Sequence, residues 1–540
     1  MGIITRLVAG VVTVLLGIWG NYLFTPAWNV RSVGMWVFLA VMFIIGAALF
    51  WIAEIIEDEG AYFGTGICGG LAALTIVVMI IGAISGAEIF NANKYHELIE
   101  VQQSSFTEDI PKATENAEPI IVDVGTARRL GDRTVGSIKN ISWYDVDEEY
   151  NLIKYQGEYY RISELNYSDF FKFRKAQYEG IPGFVLVNAK TQEAKYVELK
   201  EPIRYSPSAH YSYKLDRHLR NQYKSYIFGT SFFEIDEEGN PYYITSVKKP
   251  TIGLYEGAKE VAFIITNAAT GESKEYTVDK LPKWVDHAYD LSYLMNVIDY
   301  NQKYISGWRN AHFSKTGVNT TTYEYGRLAG ANYYNTAITA DGDIVFYTGV
   351  TPANNAESNI GFVLANPRTG KVTYYTCAGA EETSAMTAAE SLVQNLGYYA
   401  TFPTILNVDG TETYFMLLKD KAGLVQRYAL CNIKNYAKVV QAEDFETALK
   451  LYREEIGTVK AEEPEKVEIL AVTGTINNLY EAQLDGCTFY YFTLEGSNNL
   501  YMSSIKNSNK QVLLTVGTNV RVEYQTSSEE GVFLVNKIQF

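Results

Sequence analysis

Cysteine is scarce in this chain, with four residues among 540. Cys68 lies inside a long apolar stretch, and the other three are far apart and show no paired spacing; they are Cys377, Cys431 and Cys487. Disulfide-stapled domains and cysteine zinc sites both need cysteines at close, paired spacings. The sequence therefore excludes a disulfide framework and a cysteine-based zinc site.

Basic residues are also few, because 46 Lys and Arg stand against 62 Asp and Glu, a formal net charge of −16. No basic stripe offsets this charge. A surface this acidic repels phosphate backbones. We therefore expect no nucleic-acid partner.

Sequence motifs for catalysis are lacking as well: there is no nucleophile elbow, no phosphate-binding loop and no metalloprotease helix. Ser246-x-x-Lys249 and Lys315-Thr316-Gly317 match two motifs of penicillin-recognising serine enzymes. That serine must open a helix, whereas Ser246 ends a predicted strand and Pro250 soon follows. We interpret both matches as coincidence.

The chain has five histidines, which are His96, His210, His218, His287 and His312. The spacing of His210 and His218 could place two imidazoles on one helix face, but Asp216 lies off that face and a third metal ligand is missing. Asp286 and His287 are adjacent, so their side chains cannot form a dyad on a strand. Carboxylates are many, but a glycosidase pair is defined by geometry. The sequence thus predicts no catalytic residue, no cofactor-binding residue and no metal ligand.

Three apolar stretches, at 7–24, 33–56 and 64–90, are long enough to cross a membrane, which takes about 20 apolar residues. A cleaved signal peptide is a poor interpretation of the first, because two more stretches follow at once. Glu54 and Glu88 lie at the edges of their stretches, so no ion path is indicated. We expect residues 1–90 to anchor the chain in the lipid bilayer.

The flanks of the three spans bear on orientation and association. Gly82 and Gly86 form a small-xxx-small face, through which two copies could pack as an oligomer.

Three spans place the N-terminus and the soluble region on opposite sides of the membrane. Under the positive-inside rule, Arg6 favours a cytoplasmic N-terminus, whereas Arg31 and Lys94 favour the opposite orientation of the spans. We favour a multi-pass cell-membrane protein with an extracytoplasmic soluble region.

Tyrosine is abundant, with 42 residues. Its ring packs well on a pleated surface while the hydroxyl reaches water or a partner. The count favours a β-rich surface, with an aromatic recognition surface for glycans or peptides as the alternative.

A strand-turn-strand pattern occurs three times, at 183–196, 262–276 and 361–375. Phe, Asn and Thr keep one spacing in all three copies: Phe184, Asn188 and Thr191; Phe263, Asn267 and Thr270; Phe362, Asn366 and Thr369. An apolar strand that ends at an Asn able to cap a turn predicts a β-hairpin. Alternation along the strand predicts that each Phe points into a local core beneath a helix.

Other hairpins and helices accompany these repeats. Asp and Gly predict turns at 236–239, 341–342 and 409–410. Helical periodicity predicts three helices: 209–223, capped by Ser208, with Tyr211, Leu215 and Leu219 on one face; 380–397, with Ala385, Ala389, Leu392, Val393 and Leu396; and 443–457, with Phe445, Leu449, Tyr452 and Ile456. Helices packed on antiparallel hairpins give an α+β fold class.

The repeated unit, with its Asn-x-x-Thr-Gly turn, Tyr-bearing return strand and nearby helix, resembles the PepSY-type repeat. Proteins with that module are often secreted or membrane-bound, and some are protease propeptides or inhibitors. Residues 88–457 also resemble an uncharacterised family of membrane-anchored proteins from Firmicutes, most specifically in GDRTVGS, YSPSAHY, DRHLR, FEIDEEGNPYY, WVD and ESNIGFVLANPRTG. This resemblance implies an architecture and an envelope location, and no known activity.

The last part of the chain differs in pattern. Residues 458–467 are charged and contain Pro464, which predicts a linker, or a join between two halves of one barrel-like domain. Five strand signals follow and predict a small closed barrel of the oligonucleotide/oligosaccharide-binding (OB) type, a fold that does not imply nucleic acid. The predicted domains are a three-helix anchor at 1–90, a connecting segment with a small α/β subdomain at 91–180, tandem PepSY-like α+β repeats at 181–457, the linker, and an OB-like domain at 468–540.

Together these features favour a non-catalytic binding or scaffolding protein of the envelope, which presents its hairpins to a protein or glycan. One alternative is a hydrolase that acts on glycan or peptide, and the other is a subunit of a larger membrane complex. A cavity with converging carboxylates of shifted pKa would favour the hydrolase.

Overall fold

The computed structural model describes residues 2–57, 62–114, 119–137, 140–328, 333–353, 358–457, 470–484, 487–505, 508–526 and 531–540. The chain forms two compact units, Met1–Ile456 and Gly457–Phe540. The linker predicted at 458–467 lies outside the described residues. The first unit is mixed α+β and carries the three apolar helices.

Three helices at the N-terminus are long and apolar enough to cross a membrane. They are α1 (Gly2–Phe24), α2 (Val33–Glu57) and α3 (Phe63–Gly86). The third ends at Gly86, not at residue 90 as predicted, because the backbone of Ala87 is not helical (φ −56°, ψ 138°), and a separate helix α4 (Glu88–His96) follows. The carboxylate of Glu54 accepts hydrogen bonds from the Gly64 amide and the Thr65 hydroxyl, both at 2.7 Å, which satisfies donors at the start of α3.

After α4 come strand β1 (Val101–Gln103) and helices α5 (Phe106–Asp109) and α6 (Val124–Gly131), then 3₁₀ turns at Val135–Ser137 and Ile141–Trp143. Sheet I contains β2 (Tyr144–Val146), β3 (Asn151–Tyr155), β4 (Glu158–Tyr167), β5 (Ile181–Asn188) and β6 (Ala194–Ile203). Its order is β2-β4-β5-β6, with β3 paired to β4, and α7 (Phe170–Ala176) joins β4 to β5. The domain boundary predicted at residue 180 thus falls inside one sheet.

Sheet II is a four-stranded antiparallel sheet preceded by a 3₁₀ turn (Tyr211–Tyr213) and helix α8 (Leu215–Gln222). Its strands are β7 (Ile227–Ile235), β8 (Pro241–Ile252), β9 (Glu256–Asn267) and β10 (Ser273–Tyr276), in the order β10-β9-β8-β7. A 3₁₀ turn (Val278–Lys280) follows.

Sheet III follows helices α9 (Leu291–Lys303) and α10 (Gly307–Arg309) and a π-turn (Asn310–Ser314). Its own elements are β11 (Asn319–Thr321), α11 (Thr322–Leu328), β12 (Asn335–Ile338), β13 (Ile344–Pro352), β14 (Ser358–Ala365) and β15 (Val372–Ala380). The order is β1-β15-β14-β13-β11, with β12 paired to β13 and β1 parallel to β15.

Sheet IV lies between helices α12 (Glu382–Ser391) and α13 (Phe445–Ile456) in the chain. Its strands are β16 (Tyr399–Ala400), β17 (Thr404–Val408), β18 (Thr411–Lys419), β19 (Val425–Asn432) and β20 (Val439–Ala442). Their order is β16-β18-β19-β20, with β17 paired to β18.

The second unit is a closed five-stranded barrel, as the five strand signals predicted. Its strands are β21 (Leu470–Leu484), β22 (Cys487–Leu494), β23 (Leu500–Ser504), β24 (Asn519–Thr526) and β25 (Val532–Gln539). They close in the order β21-β22-β23-β25-β24, with a 3₁₀ turn (Asn509–Leu513) before β24. Phe492, Tyr501 and Val522 fill the interior, and the small barrel fits the OB-like expectation.

Two of the three helix predictions are wrong in detail, while α13 forms as predicted, with Phe445, Leu449 and Tyr452 buried. Ser208 caps no helix, since Lys214 precedes α8 and the Ser208 hydroxyl accepts a hydrogen bond from the Tyr167 amide at 3.2 Å. Helix α12 ends at Ser391, so the side chains of Leu392 and Leu396 are exposed by 43% and 44%.

The soluble part of the first unit is bonded directly to the end of the first span. Arg217 donates to the Tyr22 carbonyl at 3.0 Å and stacks over the Tyr22 ring at 4.1 Å. Arg220 donates to the Thr25 carbonyl at 3.1 Å, and the Trp28 amide donates to the Lys224 backbone carbonyl at 2.9 Å. Terminal helix carbonyls lack partners within the helix, so the two arginines of the DRHLR motif complete the end of α1.

The glycine face of α3 is covered within the chain by the tip of the β8–β9 hairpin. A Cβ added at Gly82 would lie 2.2 Å from the Tyr255 ring, and one added at Gly86 would lie 2.5 Å from the Glu256 side chain. Gly253, with a φ of +57°, brings the tip backbone against Gly86. A second copy would have to displace this tip to pack on the same face.

Candidate functional site

The three repeats share one turn geometry, and all three form the predicted hairpins. In each, the Asn side-chain oxygen accepts the backbone N–H groups two and three residues on, at 2.9 to 3.0 Å. The Thr hydroxyl accepts the N–H two residues beyond it. The residue directly after the Thr has a positive φ in all three repeats. Gly271 and Gly370 adopt such a φ readily, and Gln192 has a φ of 64°.

Each repeated Phe is buried, as alternation predicted. Phe184, Phe263 and Phe362 are 1%, 0% and 2% exposed. In the strand register they face Val197, Tyr276 and Tyr375, and the residues two further along face Lys195, Lys274 and Thr373. We call the sheet surface that carries these side chains the hairpin face of repeats 1, 2 and 3.

A cleft of about 450 Å³, called cleft A, lies over the hairpin face of repeat 1. Phe184, Leu186 and Val197 give it an apolar floor. The opposite wall is the β7–β8 turn at 238–241 together with Asn267 and Ala269 of repeat 2. Charges of both signs line it, from Lys195, Glu198, Lys200, Glu201 and Glu238. Cleft A therefore combines an apolar floor with a mixed polar rim.

A second cleft of about 380 Å³, called cleft B, lies over the equivalent face of repeat 3. Leu364, Thr373 and Tyr375 line it at the positions that Leu186, Lys195 and Val197 hold in cleft A. The Tyr375 hydroxyl donates to Asp109 Oδ2 at 2.6 Å. Cleft B is lined by the carboxylates of Glu108, Asp109, Asp341 and Asp343 and by the positively charged Lys371. Cleft B is therefore acidic.

The same face of repeat 2 is filled by the chain itself. Residues 281–289, which contain neither helix nor strand, lie on it. Trp284 packs 4.9 Å from the Tyr242 ring, and Tyr289 packs 4.9 Å from Phe263. Leu281, Val285 and Ala288 are buried in the same cluster. Repeat 2 thus shows how a short peptide segment covers a hairpin face. The prediction that a helix covers this face is wrong.

The covering segment is fixed by Glu234 of β7. This carboxylate accepts the N–H groups of Asp286 at 2.9 Å and His287 at 2.6 Å, and its Oε1 lies 3.1 Å from His287 Nδ1. The Asp286 carboxylate turns away and accepts the Lys154 amide. The Asp286 carboxylate and the His287 ring therefore have different partners, and the Glu–His pair, 53 residues apart, was not predicted from the sequence.

A third and smaller cavity, cleft C, has a volume of about 160 Å³. Its walls are mostly apolar and come from β12, β17 and the segments around Ile110 and Ile120, with Lys112 and Lys190 at the edge. It lies outside the hairpin faces.

Four carboxyl groups with raised pKa lie in the core and not in these clefts. Burial raises the pKa of Glu164 and Glu234 to about 8 and that of Glu260 to about 7, and it also raises the pKa of Glu382. Each has a hydrogen-bond donor: Tyr243 for Glu164, Ser246 for Glu260, and Tyr347, Thr322 and Asn359 for Glu382. None of the four lines cleft A, B or C.

The other histidines are separate from one another. His218 Nε2 lies 2.6 Å from the Gly271 carbonyl, whereas the His210 ring packs on Phe170 at 5.1 Å. His96 Nδ1 lies 2.7 Å from the Asn301 carbonyl, and His312 stacks on Trp308. Among the described residues, no group of three His, Cys, Asp or Glu side chains is placed to hold a metal ion.

The two serine-enzyme motif matches are also far from any catalytic arrangement. Ser246 lies within β8, fully buried, and donates to Glu260 at 2.9 Å. Lys248, two residues along, approaches the same carboxylate at 3.9 Å. Lys315 follows the π-turn in a different part of the fold.

No protein-family model matches the chain, and no curated protein is significantly similar to it. The resemblance to PepSY-type repeats and to the Firmicutes family therefore stays a prediction from the motifs.

Proposed function

We propose that the protein is a membrane-anchored, non-catalytic binding protein of the cell envelope, and that clefts A and B receive short peptide segments of a partner. One observation carries this proposal: the equivalent face of repeat 2 is filled by residues 281–289 of the same chain. Because the three faces share one strand-turn-strand construction, we infer that the other two receive segments of the same kind as the one that covers repeat 2. Two of the three are open clefts.

The chemistry of the clefts supports a peptide with an apolar anchor. Binding sites typically pair an apolar floor with a few polar groups, and aromatic side chains supply most of the affinity. Trp284 and Tyr289 play that part on repeat 2. The four carboxylates of cleft B favour a basic partner segment, while cleft A has charges of both signs.

Clefts A, B and C lack the feature that would favour the hydrolase alternative. Carboxyl groups that act as general acids are recognised by a raised pKa at a cavity. Here the carboxyls with raised pKa are Glu149, Glu164, Glu234, Glu260, Asp286 and Glu382, and none of them lines cleft A, B or C. The clefts favour binding of a protein partner over hydrolysis.

A peptide with the sequence of residues 281–289, LPKWVDHAY, should bind the full-length protein in lipid nanodiscs. We expect saturable binding at two sites, measured by fluorescence anisotropy of a dye-labelled peptide. Lys195→Trp should fill cleft A and Lys371→Trp should fill cleft B, because both side chains are exposed at the cleft lining. Each variant should lose one site, and the double variant both.

The matched control is Lys274→Trp. Lys274 holds the Lys195 position in repeat 2, whose face is already filled, so this variant should bind the peptide like the wild type. A peptide with Trp replaced by Ala should bind weakly. Equal binding to the double variant, or no binding to the wild type, would contradict the proposal.

The extracytoplasmic side can be tested separately. The native Cys377 and Cys431 are 3% and 0% exposed and would not react, so a thiol is placed at Tyr436, which is 54% exposed. We expect a membrane-impermeant maleimide to label Tyr436→Cys in intact cells, and wild-type cells to give the background. Labelling only after lysis would place residues 91–540 in the cytoplasm.

A further inference from the structure

Residues 303–315 form a basic and aromatic segment at the surface of the first unit. It contains Lys303, Arg309 and Lys315 and no acidic residue, a formal charge of +3 in a chain of net charge −16. Ile305 and Phe313 expose 49% and 77% of their surface. Exposed apolar side chains beside basic residues are typical of segments that lie in a membrane interface.

This segment packs beside the end of the third span. The Tyr304 hydroxyl donates to Glu88 Oε2, and Lys303 Nζ lies 3.2 Å from the same oxygen. Glu88 opens α4, two residues after α3 ends at Gly86. A Cβ at Gly307 would lie 3.7 Å from the Asn93 side chain of α4. The segment is therefore held where a membrane-spanning helix leaves the bilayer.

A second segment, residues 170–178, has the same composition. Its sequence, FFKFRKAQY, has three basic residues and no acidic one, again a formal charge of +3. Phe170, Phe171 and Tyr178 are 40%, 74% and 80% exposed.

The second segment lies near the end of the first span. The Arg174 guanidinium lies 5.8 Å from the Tyr211 ring, and Phe170 lies 6.0 Å from the same ring. The Tyr211 carbonyl accepts a hydrogen bond from Arg217, whose guanidinium stacks over Tyr22 near the end of α1. Tyr211 and Arg217 therefore connect residues 170–178 to α1.

We propose that residues 170–178 and 303–315, which we call the two interfacial segments, lie in the headgroup layer of the same bilayer and bind anionic phospholipid headgroups. Three spans bring the ends of α1 and α3 to one side of the membrane, so both segments sit at one surface. Aromatic rings favour that interface, and clustered Lys and Arg are attracted to anionic lipids. The positive segments face lipid, and the acidic remainder of the chain faces water. This inference does not depend on the clefts.

Depth-dependent quenching in the full-length protein tests this inference. An environment-sensitive fluorescent amino acid replaces Phe171, Phe313 or, as a matched control, Tyr436, an exposed aromatic residue between β19 and β20. The proteins are reconstituted in nanodiscs of phosphatidylcholine, with and without phosphatidylglycerol. Brominated phospholipids quench probes in the interface, and aqueous iodide quenches probes in water.

We expect brominated lipids to quench probes 171 and 313, more strongly with phosphatidylglycerol, and iodide to quench probe 436. Lys172→Glu with Lys175→Glu should abolish the phosphatidylglycerol effect at 171, and Arg309→Glu with Lys315→Glu should abolish it at 313. Iodide quenching at 171 or 313 equal to that at 436 would show an exposed segment and overturn the proposal for it. Shielding from both quenchers would show that protein covers the segment, which also overturns it.

Discussion

Replacing Phe263 with Ala should lower the free energy of unfolding by about 3–5 kcal/mol, the usual cost of deleting a fully buried ring. Phe263 is 0% exposed and packs on Tyr289 of the covering segment. The loss is a large part of the about 5–15 kcal/mol that stabilises a typical domain. Denaturant unfolding of the full-length protein in detergent, followed by circular dichroism, measures it. Membrane insertion should be unchanged, because residue 263 lies outside the spans.

The matched control for this prediction is Tyr436→Ala. Tyr436 is 54% exposed, and surface substitutions usually change stability by no more than about 0.5 kcal/mol. Normal unfolding of the Phe263→Ala protein would mean that the repeated Phe spacing serves recognition and not packing.

Much of the fold could be predicted because its signals are local. The spans follow from uninterrupted apolar runs, and the barrel from five alternating strands with turns between them. The repeated hairpins follow from an Asn whose side chain caps a turn within its own five residues. Sequence spacing reports such contacts directly, because both partners lie in one short window.

Helix ends were harder to predict, because periodicity shows which face of a helix is apolar and does not show where the helix ends. The pattern after Ala389 continues through Leu392 and Leu396, yet the helix ends at Ser391. The Ser391 hydroxyl donates to the Ala388 carbonyl at 2.6 Å, and such local bonds compete with helix continuation. Ser208 looked like a cap, but the Tyr167 amide of sheet I donates to its hydroxyl.

The candidate site could not be predicted, because it depends on contacts between distant parts of the chain. Glu234 holds the amide of His287 across 53 residues, and Arg217 reaches Tyr22 across 195. Nothing in LPKWVDHAY itself says that it covers repeat 2. The motifs WVD and DRHLR marked both places as unusual, and only the fold shows what they contact.

Stability should fall as the pH rises from 6.5 to 8, because folded Glu164 and Glu234 keep protons that the unfolded chain has released. Burial raises their pKa from 4.5 to about 8, so their contribution is complete below pH 4.5 and is lost as the pH passes 8. Each protonated carboxyl adds a slope of about −1.4 kcal/mol per pH unit, so the two together give about −2 to −3 kcal/mol per unit near pH 7. Denaturant unfolding at a series of pH values measures the slope.

His287 works in the opposite direction and sets the lower limit of this window. Burial lowers its pKa from 6.5 to about 4, so its contribution is complete above pH 6.5 and is lost as the pH falls through 4. Measurements above pH 6.5 therefore isolate the buried carboxyls. Asp286 and Glu260, whose pKa values burial raises to about 7, add to the slope with the same sign.

Glu164→Gln assigns the effect to one group. The amide keeps the shape of the protonated carboxyl and can still accept the hydrogen bond from the Tyr243 hydroxyl, but it does not titrate. We expect the slope near pH 7 to become shallower by about 1.4 kcal/mol per pH unit. Glu193→Gln, at an exposed position in the turn of repeat 1, should leave the slope as it is. If Glu164→Gln kept the wild-type slope, the folded protein would hold Glu164 ionised beside Tyr243, and the buried carboxyl would be a charged group.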